Sequence, residues 1–407
     1  MTYRILDTQS VKTFLLDIPE IKNYFDSEEL QADEIGDGNV NFVFIVKSKT
    51  DPKKALIVKQ AVPYLRCAGE SFPLSRERMT FEIRALQEYE KLAPDYVPKI
   101  YYADEEMSIV VMEYLSDHII MRKGLIEGTT YPLFSEHISD FLAKTLFYTS
   151  SLHLQSTEKR ALMDRFNANA QLCKLTEDFV FTFPYMSHET NHIDKQCEKE
   201  AKALFHDQSY KKNLLTLKYI FMTQTDALLH GDLHTGSIML NQTETYVIDP
   251  EFAFVGPFGF DIGALIANLI NAYISHEHTD QNRTFQAWIL QTIEEIYTKF
   301  EMKFLDLWKR QQESALILPG FTDDATTEAF QKEFMQNIFT QSVGFAGCKI
   351  ARRVFGIAGV EEIRGIEDDR TRKEASMHAL RTGIGLIKSY REIKTVQQLC
   401  NYIKESS

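Results

Sequence analysis

With 407 residues, 44% of them hydrophobic and 25% charged, the chain has the composition of a globular protein with one large core or two ordinary ones. Its formal net charge of −13 argues against nucleic acid or an anionic membrane surface as partner, because clustered Lys and Arg hold such partners. No stretch reaches membrane-spanning length. Residues 1–20 lack the positive lead of a signal peptide, and the five cysteines (Cys67, Cys173, Cys197, Cys348, Cys400) lie far apart without a C-x-x-C pair; these features point to a reducing cytoplasm rather than to disulfides or zinc.

The first third reads as sheet with one helix. Asn41 to Lys47 and Ala55 to Gln60 are short apolar runs bounded by Gly36-Asp37-Gly38-Asn39 and Thr50-Asp51-Pro52, which predicts two strands. From Glu77 to Leu92 the apolar residues Met79, Ile83, Leu86, Tyr89 and Leu92 recur at three- and four-residue steps, the period of a helix. Lys99 to Tyr102 and Ser108 to Glu113 flank an acidic turn and read as a hairpin. Beyond Ser116 helices dominate, among them Ile138 to Leu154 and Tyr210 to Leu229, interrupted by short strands at Ser237 to Leu240 and Thr245 to Ile248. The fold class expected from this patterning is α+β: a small, mostly antiparallel β lobe at 1–112 joined to a larger, mostly α lobe at 118–407.

Four elements occur in kinase order. The glycine turn at 36–39 would let backbone N–H groups approach phosphate, although alone it is a common hairpin turn. Lys59 stands inside an apolar strand, as does the lysine that holds the α- and β-phosphates in kinases. Glu82 is its preferred partner because its helix face is apolar and a charge there needs one; Glu77, Glu88 and Glu90 are rivals. His230-Gly231-Asp232-Leu233-His234-Thr235-Gly236-Ser237 is the strongest local signal: Asp232 is placed to accept the proton of an acceptor hydroxyl. His230 and His234 as a metal pair would need a helix, which Gly231 and Gly236 oppose. Asp249-Pro250-Glu251 follows a strand 17 residues after Asp232, and its carboxylates suit Mg²⁺. Asp261 is expected to cap the apolar helix Ala264 to Tyr273 and to brace the catalytic loop. His276 and His278 read as a solvated loop rather than a metal site.

Gly-Asp-Gly-Asn at 36–39, the 230–237 segment, Asp-Pro-Glu-Phe-Ala-Phe at 249–254 and Gly-Phe-Ala-Gly-Cys at 344–348 together resemble the 5-methylthioribose kinase family, from about Ile35 to the C-terminal helices. The resemblance implies ATP-dependent phosphorylation of the sugar's 1-hydroxyl in methionine salvage, with Mg²⁺, on a two-lobed protein-kinase-like fold, similar to that of aminoglycoside phosphotransferases, with a hinge at 113–117. It implies Asp232 as base and Asp249, Pro250 and Glu251 at the metal and nucleotide. Glu113, Tyr114 and Leu115 would line the adenine hinge, Asn39 or Asn41 would sit over the phosphates, and Arg352 and Arg353 near the sugar. A homodimer is also implied. Against the wider kinase pattern, Gly231 replaces the Arg of H-R-D, and Ser237 stands where Asn would hold a second metal; either Ser237 or Glu251 fills that role.

Two alternatives stand beside this reading. One is another small-molecule kinase of the same fold, acting on an aminoglycoside, choline or homoserine; the other is a non-catalytic nucleotide-binding module. A solvated helix face competes with a substrate role for Arg352 and Arg353.

Overall fold

The computed structural model describes residues 2–35, 40–65, 69–311 and 313–406. The glycine turn with Asn39, and Cys67, lie outside the described residues. The chain forms two compact units, Met1–His118 with Tyr246–Ala253, and Ile119–Thr245 with Phe254–Ser407.

In the first unit, helices α1 (Ser10–Leu16) and α2 (Pro19–Phe25) precede strands β1 (Leu30–Glu34), β2 (Phe42–Ser48) and β3 (Ala55–Gln60) and a small hairpin, β4 (Tyr64–Leu65) and β5 (Gly69–Pro73). Helix α3 (Arg78–Leu92) and strands β6 (Ile100–Asp104) and β7 (Ile109–Glu113) follow. Five strands make one antiparallel sheet in the order β1-β2-β3-β7-β6. Successive side chains of a strand point to opposite faces, so β3 serves two cores. Leu56 and Val58 pack with Phe44, Val46 and Val111 against Val11, Phe14 and Phe25 of the first two helices. Ile57 and Lys59 take the other face, where α3 contributes Met79 and Ile83. Period two thus aims Lys59 at the helix that bears Glu82.

The second unit is mainly helical. Strand β8 (Ile119–Ile120) leads to α4 (Met121–Ile126), α5 (Phe134–Tyr148), α6 (Ser156–Phe166), α7 (Ala170–Phe181), α8 (Glu198–His206) and α9 (Lys211–Thr223). Short strands β9 (Ala227–Leu229), β10 (Ile238–Leu240), β11 (Thr245–Val247) and β12 (Phe254–Gly256) come next, and the chain passes between units within β11. The last helices are α10 (Gly259–His278), α11 (Arg283–Arg310), α12 (Asp324–Phe355), α13 (Glu361–Arg364), α14 (Asp369–Ser389) and α15 (Val396–Glu405). Helix α10 is buried on every side from Gly259 to His276, which makes it the central rod of this unit.

Three expectations need correction. The helix foreseen at Tyr210 to Leu229 stops at Thr223, and Ala227–Leu229 instead pairs antiparallel with Phe254–Gly256. Tertiary partners decide this: Leu228 N–H donates to Thr149 Oγ1 at 2.9 Å, and Asp226 accepts from Phe258 N–H at 3.3 Å. Asp261 lies inside the first turn of α10 rather than at its cap, since the helix begins at Gly259. His276 and His278 end that helix and are not a solvated loop. His276 is only 4% exposed, and its Nε2 lies 2.7 Å from the Leu125 carbonyl oxygen.

Candidate active site

The first unit gathers one set of charged groups. Lys59 Nζ donates to Glu82 Oε1 at 2.8 Å and also contacts Asp249 Oδ1. Glu82, Asp249 and Glu251 bring carboxylate oxygens within 4.8 Å of one another. Burial alone would depress Lys59, but Asp249, Glu82 and Glu251 outweigh it and hold its pKa well above the usual lysine range. Burial pushes the Glu82 carboxyl up, with Lys59 opposing, and burial together with Asp249 pushes Glu251 up. Three crowded acids face two cations, Lys59 and Arg78, the latter with Nε 3.5 Å from Glu251 Oε2, so positive charge is still short by one, and the buried Glu82 Oε2 has no hydrogen-bond partner among the described residues. A hard oxygen-ligated cation such as Mg²⁺ fits that donor set. Asp249 sits at φ +66°, a left-handed conformation that Asp tolerates better than most residues and that the sharp exit from β11 requires.

Arg78 organises this set from within the protein. Its Nε and Nη2 donate to Asn41 Oδ1 at 3.1 and 2.8 Å, and Asn41 Nδ2 donates to Glu251 Oε2 at 2.9 Å. Both polar ends of Asn41 are therefore engaged in holding Glu251. The sequence signal for Arg78 is its spacing: it stands four residues before Glu82, so the two charges share the apolar face of α3. At the expected hinge, Glu113 N–H is committed to the Lys99 carbonyl at 2.9 Å, which leaves its own carbonyl as the group to offer a base. The Tyr114 ring lies 5.3 Å from Lys47 Nζ, Leu115 is buried, and the Pro250 carbonyl accepts from Ala253 N–H at 3.1 Å.

The second unit holds the other set. His230 and Gly231 donate backbone N–H groups to Asp261 at 2.7 and 3.1 Å, so the first turn of α10 grips the loop that carries Asp232. Gly231 takes φ +82°, which a side chain would strain. Ser237 Oγ donates to the Asp232 carbonyl at 3.1 Å and thereby tightens the loop on itself. The Asp232 carboxylate receives Lys349 Nζ at 3.0 Å on one oxygen and has His234 Nε2 at 3.3 Å from the other. Burial would raise Asp232, yet Lys349, His234 and Arg352 overcome it and keep the carboxyl well below the ordinary range. Burial brings Lys349 down to about 8 despite Asp232, and His234 down to about 4.

Arg352 and Arg353 are 8% and 6% exposed, which rules out the solvated-face alternative. Both Nε atoms are buried without a hydrogen-bond partner among the described residues. Arg353 Nη1 donates to the Ala358 carbonyl at 3.0 Å, and Arg122 Nε stands 3.4 Å from the buried Glu362. Lys349 and Arg122 were not foreseen. The signal for Lys349 was its place in Cys348-Lys349-Ile350-Ala351-Arg352-Arg353, a run of cations inside an otherwise apolar segment; nothing local marks Arg122. Chemically, this set offers one ionised acceptor for a hydroxyl proton, set among buried donors for anionic oxygen.

Residues 32–295 match the Phosphotransferase enzyme family. Methylthioribose kinase 1 of Oryza sativa subsp. japonica is 40% identical over 99% of this chain and 95% of its own. Methylthioribose kinases of Geobacillus sp. (strain WCH70) and Bacillus cereus (strain AH820) are 44% and 45% identical, over 91% and 90% of this chain and 89% of each of theirs. The chain therefore belongs to the phosphotransferase enzyme family and, within it, to the methylthioribose kinases.

Proposed function

We propose that the protein transfers the γ-phosphoryl group of ATP to the 1-hydroxyl of 5-methylthioribose, yielding 5-methylthioribose 1-phosphate and ADP within methionine salvage. The observation that carries this reading is the half-buried Asp232 carboxylate, held ionised by Lys349 on a loop anchored through Asp261. Asp232 orients the acceptor hydroxyl and takes its proton. Lys349 and Arg352 bind sugar hydroxyls and the anionic oxygens that develop on transfer, and Arg353, which gives Nη1 to the Ala358 carbonyl, packs beside them. Lys59, fixed by Glu82, binds ATP phosphate oxygens. Asp249 and Glu251 hold Mg²⁺, Glu251 being preferred to Ser237 because the Ser237 hydroxyl is donated within its own loop. When bound, Mg²⁺ supplies charge neutralisation on the phosphates. Glu113, Tyr114 and Leu115 receive the adenine, Asn39 covers the phosphates, and Asn41 acts by positioning Glu251.

The cationic surroundings of Asp232 disfavour choline or an aminoglycoside as acceptor, since each would bring further positive charge. A non-catalytic module would have no need of Lys59, Asp232 and Asp249 together. The four described thiols are free, which supports a cytoplasmic location, and no helix among the described residues is long and apolar enough to cross a membrane. Homodimer assembly belongs to the same reading, and light scattering after size exclusion checks it. The function itself is tested by Mg²⁺-dependent ADP release over a panel of acceptors. Release should respond to 5-methylthioribose well above ribose, choline or kanamycin, and a preference for an aminoglycoside would overturn the substrate.

A further inference from the structure

The C-terminal end of α10 faces the middle of α14, and three ligand-type atoms converge there with no part in phosphoryl transfer. Glu277, His278 and His378 each bring one such atom within 4.8 Å of the others. His278 Nε2 lies 3.1 Å from His378 Nδ1, and His378 Nδ1 lies 3.4 Å from Glu277 Oε2. We propose that these three atoms form a site for a zinc-class divalent cation that clamps the end of α10 onto α14.

Two of the three spacings suit a tetrahedral ion, and the third pair lies within 4.8 Å. Ligands about 2.0–2.1 Å from zinc at tetrahedral angles stand roughly 3.3–3.4 Å apart, close to both measured separations. Two imidazoles with one carboxylate are also a donor set suited to zinc rather than to Mg²⁺ or Ca²⁺. A hydrogen bond between the two imidazoles accounts for their approach but leaves the carboxylate unexplained, because Glu277 Oε2 is buried and has no hydrogen-bond partner among the described residues. This oxygen lies 3.4 Å from a ring nitrogen, and the nearest arginine, Arg283, reaches only the other carboxylate oxygen at 4.0 Å, so a cation would satisfy it. The outer groups fit as well. His378 Nε2 lies 3.4 Å from Ser406 Oγ, the kind of contact that orients a ligating ring. Glu277 and His278 are only half-buried, so water can reach the fourth position.

The test uses the full chain, stripped with chelator and returned to buffer containing excess Mg²⁺ so that the acidic set of the first unit is masked. Calorimetry with Zn²⁺ alone should give one tight site per chain. Co²⁺ should develop the visible absorption of a tetrahedral site, and Zn²⁺ should raise the melting midpoint. Glu277→Gln and His278→Asn, near-isosteric changes at half-buried positions, should each weaken Zn²⁺ roughly tenfold or more and abolish the Co²⁺ absorption, with circular dichroism and ADP release unaltered. Absence of stoichiometric uptake in the wild type, or uptake of undiminished affinity in both variants, overturns the site.

Discussion

Asp232 is a half-buried carboxylate that stays ionised because the buried Lys349 reaches it at 3.0 Å, and the behaviour of both groups with pH follows from that contact. Removing the carboxylate by Asp232→Asn keeps the shape of the loop but loses the proton acceptor. Turnover should fall by about 10²–10⁴, the usual worth of a general base, while calorimetric binding of MgATP survives. Near-normal turnover would refute the role. Because the folded pKa of Asp232 is depressed well below the carboxylate range, it should add no acid limb to kcat/KM near neutrality. Lys349 is different: burial brings it down to about 8, so it is charged below that pH and neutral above it. The free enzyme should therefore lose kcat/KM for the sugar as pH rises through about 8. In Lys349→Met the profile should be lower throughout, and that basic limb should vanish. A limb unchanged in the variant would assign it to another group.

At the scale of elements, the helices around the acceptor set approach so closely that glycines form the contacts. A Cβ at Gly347 on α12 would stand 2.7 Å from the Gly383 carbonyl and 2.9 Å from the Ile387 amide of α14, both backbone atoms that cannot rotate away. Gly347→Ala should cost about 1–3 kcal/mol, read as a lower denaturation midpoint, and should raise the sugar KM because Lys349 lies two residues further along the same helix. Unchanged stability would mean that the helices separate freely. The glycines of the 344–348 motif were visible in the sequence, yet their reason was not, since helix-to-helix distance is a tertiary property. Elsewhere the legible parts are those with local causes. β3 matches its expected span residue for residue because its apolar run starts just after the turn-forming Thr50-Asp51-Pro52. The α+β class was legible from the shift between period-two and helical patterning. What escaped had distant causes: β9 forms because β12 lies beside it, and His276 is buried because α4 offers the Leu125 carbonyl. Among the charged groups, Lys59, Glu82, Asp249 and Glu251 are strand-end or strand-helix features and could be singled out from pattern. Arg78 and Lys349 resemble ordinary helix residues until their burial is known.

For the whole molecule, the chain keeps its two charged sets in separate units, one around Lys59 and Asp249, the other around Asp232 and Lys349. If the first handles nucleotide and the second handles sugar, defects should separate by unit. Asp249→Asn should weaken MgATP and raise the Mg²⁺ requirement with little change in sugar KM. The arginines provide the complementary case and an internal control. Arg353 already gives Nη1 to the Ala358 carbonyl, whereas Arg352 makes no side-chain hydrogen bond among the described residues, so Arg352 has the donors to spare for a ligand. Lysine keeps the charge at either position but loses the planar fork. A charge-assisted pair of hydrogen bonds is worth about 1.5–3 kcal/mol, so Arg352→Lys should raise the sugar KM by roughly one to two orders of magnitude and leave the ATP KM alone. Arg353→Lys should mainly lower the denaturation midpoint. Steady-state kinetics with each substrate varied in turn distinguishes the two variants. If both arginine variants keep wild-type sugar KM, the sugar is bound by other groups; if Arg352→Lys instead raises the ATP KM, the division of labour between the units is wrong.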